Sequence, residues 1–284
     1  MNGTRCQIEE LEGRGRGWVS LDDIEIGEEI FQSEGYSVVV NEIWILETCN
    51  YCLKFEPRKR FPKCQKCFYV AHCSEECRKC DEAHEKECKY YGELKTIVAK
   101  PKYKHFSSDF RSLLRLIVSV LVRRYFEIVE PKLNKSFLKF EDVMNLVSNF
   151  EELQKDEATR NSWEELIEVI SAVLPKEYLI DSQDIIKLSC IEQCNAIGCW
   201  DIDRDMFGFG IFPLASYFNH SCSPNIKKTT KGKVAYFHAI APIKKGEELC
   251  ISYTWVDDNV EERISTLKEG FCFTCCCIRC THEL

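Results

Sequence analysis

The sequence predicts an α+β fold in which a helical insertion separates two β-rich halves. Three observations carry that prediction. Short alternating or β-branched runs occupy residues 18–48, an amphipathic helical pattern occupies 107–180, and glycine-punctuated short strands return after residue 186. With 284 residues, 45% of them hydrophobic, the chain can bury one large core or two smaller ones, which argues against disorder. No internal repeat or low-complexity tract is visible.

From the N-terminus, Met1-Asn2-Gly3-Thr4-Arg5-Cys6-Gln7 lacks the apolar core of a secretory signal. Gly27-Glu28 reads as a turn and Tyr36-Ser37-Val38-Val39-Val40 as a strand. Phe110, Leu113, Leu114, Ile117, Val118 and Leu121 recur at the spacing of one buried helical face. Trp163, Leu166, Ile167, Ile170, Val173 and Leu174 repeat it, and Pro175 closes the helix. No stretch reaches the roughly 18 continuous apolar residues of a membrane span. Even Ile117–Val122 runs into Arg123 and Arg124. These features predict a soluble protein of the cytoplasm, the nucleus or both, with no membrane partner.

The 46 acidic and 38 basic side chains give a formal charge of −8, which argues against a chain built to coat nucleic acid and suits a basic partner. The 19 cysteines cannot all pair, and in a reducing compartment dense, closely spaced cysteines read as metal ligands before disulfides.

Cys49-x2-Cys52 and Cys64-x2-Cys67 are tight turns that aim two thiolates at one point, as tetrahedral zinc requires. Cys73-x3-Cys77 and His84-x3-Cys88 use a spacing of four, which places both side chains on one face of a helical turn. Four pairs make two four-coordinate sites, and three groupings of the pairs are compatible with the spacing. Cys80 forms a rival pair with Cys77, but choosing it leaves an orphan ligand; His72 reads as a structural bystander.

These pairs, with Tyr69-x3-Cys73-Ser74-x2-Cys77 between them, resemble a MYND zinc finger. The resemblance implies interleaved sites, with Cys49, Cys52, Cys73 and Cys77 on one zinc and Cys64, Cys67, His84 and Cys88 on the other. It also implies a protein-binding module that takes proline-containing segments. Between Lys54 and Lys66 six basic residues face one acid, Glu56. We read this run as a solvated basic face ahead of a DNA contact at residues 54–66.

Three further segments carry chemistry: Arg14-Gly15-Arg16-Gly17, where glycines permit close backbone approach to a ligand; Phe218-Asn219-His220-Ser221-Cys222-x-Pro224-Asn225; and Gly246-Glu247-Glu248-Leu249-x-Ile251-Ser252-Tyr253. In this order they resemble a SET domain, and with the inserted finger they resemble the SET-and-MYND-domain family of protein-lysine methyltransferases. The resemblance runs from about Leu11 to Cys280. It divides the chain into residues 1–48 and 186–256 as the two parts of the SET domain, 49–88 as the finger, 89–185 as a helical insertion and 257–284 as a post-SET segment.

The resemblance implies S-adenosylmethionine bound near Arg14, Gly15, Arg16, Gly17, Asn195, Asn219 and His220, with Asn149 a further candidate on the adenosine side. It implies that the Asn-His-Ser-Cys segment passes beneath the closing strand and comes beside Tyr253, which also belongs to the cofactor pocket. The ending Cys275-x-Cys277-x2-Cys280 resembles the family's post-SET motif, whose zinc takes Cys222 as fourth ligand and holds the tail over the cofactor. Cys272 and Cys276 are then not ligands. Phe273 is expected at the cofactor and at the wall of the lysine channel, and Ile197, Tyr253 and Phe271 along that channel.

Tyr253 is the expected catalytic hydroxyl, orienting the lysine amine without serving as base, because a phenol with a pKa near ~10 ionises only at a cost at neutral pH. His220 is expected to position the cofactor, and Cys190, Cys194, Cys199 and Cys250 to be small core residues. Arg16, Ile197 and Phe271 depart from the family's usual residues, and the large C-terminal helical domain of many members has no counterpart after Cys280. The expected activity is protein-lysine N-methylation of histone tails or non-histone proteins. The alternatives are a MYND adaptor or transcriptional regulator with a weakly active SET domain, and a zinc-finger nucleic-acid regulator. Eleven thiolates and three Zn2+ would take the formal charge from −8 to −13.

Overall fold

The computed structural model describes residues 5–131 and 136–283, so residues 1–4 of the N-terminal segment fall outside the description. In chain order the strands are β1 (Cys6–Leu11), β2 (Gly15–Ser20), β3 (Glu29–Glu34), β4 (Ser37–Val40), β5 (Ala196–Trp200), β6 (Met206–Ile211), β7 (Asn219–His220), β8 (Ile226–Lys231), β9 (Val234–Ala239) and β10 (Cys250–Ile251). The α-helices are α1 (Glu75–Cys80), α2 (Glu82–Val98), α3 (Ser108–Val129), α4 (Phe140–Met144), α5 (Phe150–Leu153), α6 (Glu157–Val173), α7 (Ser182–Asn195), α8 (Val260–Phe271) and α9 (Ile278–Glu283). The α+β expectation holds, with the helices concentrated between β4 and β5. Among the described residues no helix is long and apolar enough to cross a membrane.

Two compact units form. The first joins the chain up to Glu34 with the chain from Phe212 onward. Its β1–β2 hairpin is antiparallel, β3, β9 and β8 form a three-stranded antiparallel sheet, and the short strands β7 and β10 pair in parallel. Trp18, Phe31, Phe218 and Phe237 pack ring on ring in its core, Phe218 stacked on Phe237 at 4.4 Å between centroids. Burying aromatic rings of this size removes large apolar areas from water and fixes the backbone of Phe218.

The second unit, Gly35–Ile211, holds the antiparallel sheet β4-β6-β5, the cysteine-rich finger and helices α1 to α7. Helix α3 departs from the expected single buried face: Leu114 through Val122 are buried without interruption. The reason is that α2, α6, α7 and β4 all pack on it. Arg115, 1% exposed, lies within that run, donating to the Val40 carbonyl with its guanidinium 5.2 Å from the Tyr69 ring. In α6, Trp163, Leu166, Ile170 and Val173 are buried as expected; Val169 joins them, and Ile167 lies outside the buried set.

Candidate active site and metal centres

The three segments singled out in the sequence converge within the first unit. Residues 12–14 turn the β1–β2 hairpin, and Gly15 enters β2 at φ +69°, a left-handed value that strains any residue with a Cβ. At Gly17 the limit is space: an added Cβ would lie 2.8 Å from Asn219 Nδ2 and 2.6 Å from Leu11 Cδ1. Asn219 donates to Glu248 Oε1 at 2.9 Å, and Glu248 Oε2 pairs with Arg14 Nε at 3.0 Å. Arg14 Nη2 reaches the His220 carbonyl at 2.8 Å. Arg16 donates to the Tyr217 hydroxyl at 3.2 Å and lies over its ring, while its carbonyl accepts from Asn219 Nδ2 at 3.4 Å.

The Asn219–Cys222 segment is clamped along β10. Beyond the β7–β10 pairing, Ser221 N donates to Ile251 O at 2.8 Å, and Asn225 accepts from Cys250 N and donates to Glu248 O, each at 2.8 Å. His220, buried, accepts the backbone N–H of Tyr253 at Nδ1 across 3.0 Å and turns Nε2 to Cys222 Sγ at 3.1 Å. Burial, reinforced by the charges of Arg14 and Arg263, lowers its pKa to about 4, so the ring is neutral and Nε2 is the donor.

Tyr253 donates its phenolic proton to Phe218 O at 2.8 Å. Burial pushes its pKa upward, and Cys250 adds to the shift. The phenol therefore stays protonated, as expected of a positioning hydroxyl and not of a base. Phe271 lies 4.7 Å and Phe273 6.4 Å from its ring, and Phe273 is also 6.0 Å from the His220 ring. Tyr253, Phe271 and Phe273 thus form one aromatic group between the end of β10 and the C-terminal tail.

Asn149, Asn195 and Ile197 belong to the second unit. Asn195 ends α7 and donates to Val147 O at 2.7 Å, which ties it to the segment leading into Asn149. Asn149 takes φ +47° ahead of α5, and Ile197 is buried in β5 opposite Gly210.

Among the described residues three ligand clusters appear: Cys49, Cys52, Cys73 and Cys77; Cys64, Cys67, His84 and Cys88; and Cys222, Cys275, Cys277 and Cys280. The first two resolve the three open groupings in favour of the interleaved arrangement. Zn–S bonds of about 2.3 Å in a tetrahedron put sulfurs about 3.8 Å apart. The spacings are 3.6 Å for Cys52–Cys73, 3.7 Å for Cys64–Cys88 and 3.9 Å for Cys222–Cys275, and Cys67 Sγ lies 3.6 Å from His84 Nε2. The donor sets therefore fit zinc. Every cysteine is unbridged, and Cys80, Cys272 and Cys276 stand outside the clusters. One expectation is corrected: Cys73 does not share a helix with Cys77, because Ser74 caps α1, its Oγ accepting from Cys77 N at 3.1 Å.

A SET domain family model matches residues 15–254. The chain belongs to the SET domain family. Two SET and MYND domain-containing proteins of Dictyostelium discoideum are 29% and 28% identical over 98% of this chain, covering 82% and 80% of their own lengths. The human N-lysine methyltransferase SMYD2 is 28% identical over 95% of this chain, which spans 59% of that protein. The SET domain segments read from the sequence are those the structure assembles around Tyr253. Sequence reasoning passed over two residues that hold them, Glu248 and Arg263. Glu248 stood inside a quoted motif. Arg263 carried a signal too, falling at helical spacing between Val260 and Leu267 on the face that α8 buries.

Proposed function

We propose that the chain is an S-adenosylmethionine-dependent protein-lysine N-methyltransferase. The observation that carries this reading is the hydroxyl of Tyr253, its proton committed to Phe218 O and its ring flanked by Phe271 and Phe273. A phenol has one proton and two lone pairs. With the proton spent, the oxygen can only accept, and the group it can orient is an N–H donor such as a lysine amine.

S-adenosylmethionine supplies, when bound, an electrophilic methyl group on a sulfonium. The residues at hand suit it: Gly17 lets the β2 backbone lie close against Asn219, and Arg14, Asn219 and Glu248 offer donors and a carboxylate to a zwitterionic amino-acid group. Deprotonating a free lysine at neutral pH costs about 4.6 kcal/mol from a pKa near ~10.4. The aromatic group lowers that cost by desolvating the ammonium, and Tyr253 then holds the neutral amine in line, where alignment replaces a covalent nucleophile.

The substrate is a lysine-presenting protein, a histone tail or a non-histone protein, and the site of action is the cytoplasm, the nucleus or both. Support for a basic substrate comes from the acidic balance of the metallated chain. The finger is assigned a proline-containing peptide. DNA at residues 54–66 ranks behind it, because Lys54 and Lys59 already pair with Glu56 and the chain as a whole is acidic. Calorimetric titration with S-adenosylmethionine, followed by a peptide-array methylation assay read by mass, tests the proposal. Lysine methylation supports it; tight cofactor binding without transfer to any protein would make the chain an adaptor.

A further inference from the structure

Within the finger, one buried carboxylate touches both halves. Asp81 is 4% exposed. It ends α1, which carries the ligand Cys77, and caps α2, which carries the ligands His84 and Cys88. Its Oδ1 accepts from the backbone N–H of His84 at 3.3 Å. Its Oδ2 accepts from Asn50 Nδ2 at 2.8 Å and faces His72 Nε2 at 2.8 Å. An ionised carboxylate only accepts, so His72 donates.

Each partner belongs to a different piece of the metal chemistry. Asn50 lies inside the Cys49-x2-Cys52 turn of the four-cysteine cluster, and its own N–H is held by Ala71 O at 2.8 Å. His72 adjoins Cys73 of the same cluster. His84 is a ligand of the three-cysteine, one-histidine cluster. A buried carboxylate is tolerated only while its lone pairs are met. Loosening either cluster therefore withdraws a partner from an oxygen pair that the other cluster also leans on.

We propose that Asp81 couples the two finger metal sites, so that the finger gains and loses its two ions together. This rests on the zinc reading of both clusters and adds a thermodynamic link between them. Outer-shell groups that orient metal ligands typically change metal affinity by about 10- to 100-fold when removed. Here the effect of the carboxylate is shared by two ions.

The test uses the full chain reconstituted with cadmium, in which four-sulfur and three-sulfur, one-nitrogen sites give separate cadmium NMR resonances, titrated with EDTA. In the wild type both finger resonances are expected to fade at the same EDTA concentration. In Asp81→Asn, and separately in Asn50→Ala, their midpoints are expected to separate by about tenfold or more. The cluster containing Cys222 is a second four-sulfur site, its resonance assigned by its loss in Cys222→Ser; it serves as the internal control and keeps its midpoint. Separate midpoints in the wild type, or a common midpoint retained in both variants, would overturn the coupling while leaving the metal assignment intact. Absence of both finger resonances would overturn the metal assignment and the coupling with it. Should Asp81→Asn fail to fold, Asn50→Ala, which leaves the carboxylate with His72 and the N-terminus of α2, decides the question alone.

Discussion

The phenol of Tyr253 donates to the carbonyl of Phe218 across 2.8 Å. Phe218 is itself fully buried in the ring cluster of the first unit. The hydroxyl is thus anchored to a part of the molecule that cannot drift, and its free lone pairs keep one direction. Replacing it by Tyr253→Phe keeps the ring and removes the acceptor. Turnover is expected to fall by about 10²-fold, the cost of a misaligned reacting group, with cofactor affinity little changed. Initial-rate methylation beside calorimetry checks the split; unchanged turnover would remove Tyr253 from the catalytic role.

Gly17 sets a different constraint. Its absent side chain leaves room for Asn219, which is fixed through Glu248 to Arg14. In Gly17→Ala the Leu11 methyl can swing aside, but the Asn219 amide has to give up its place. Loss of one polar contact worth about 1.4 kcal/mol weakens S-adenosylmethionine binding about tenfold. Calorimetry measures it, and metal analysis should still return the wild-type zinc content. Undiminished affinity would place the cofactor away from this strand.

Glu192 should contribute a loss of stability as pH rises from about 4.3 toward 7. Burial, and after it the charge of Asp109, raises its pKa to about 7. The unfolded side chain releases its proton near pH ~4.3. Between those values the folded state holds a proton that the unfolded state has lost, so the contribution is complete below about pH 4.3 and disappears toward pH ~7. Glu192→Gln removes the titration. Its Tm should decline less than that of the wild type between pH 5 and 7.5, and parallel declines would exclude this carboxyl.

The ligands of the finger were legible because zinc admits few residue types at short spacings, and a short spacing survives as a sequence pattern. Its pairing into two sites was not, since any of three groupings satisfies the same spacings and only the folded path of α1 and α2 chooses. Tyr253, Asn219 and His220 were found through motif resemblance, and the structure brings them together. Helix α3 shows the limit of periodicity: a repeating face is written by one neighbour, whereas α3 is packed from several sides. The polar ties made by Asp81, Glu248 and Arg263 left weaker traces, because a hydrogen bond between distant residues imposes no spacing on either.

Arg263 leads to the last prediction. It is fully buried in α8, donates to Asp258 O at 2.5 Å, pairs with the Glu283 carboxylate and lies 3.9 Å from Cys280 Sγ. Four thiolates around Zn2+ carry a net charge of about −2, and a buried guanidinium beside them offsets part of it. Arg279 adds a second tie, from Nη1 to Cys222 O at 3.2 Å and to Val256 O at 2.6 Å. Cys222→Ser should lower the metal content from three zincs to two and expose the tail from Cys275 onward to protease. Arg263→Met should keep the ligands but release that one zinc to EDTA about 10- to 100-fold more readily, leaving the finger zincs in place. If Arg263→Met retains the third zinc as firmly as the wild type, the guanidinium serves only to fasten α9 through Glu283, and the charge argument fails.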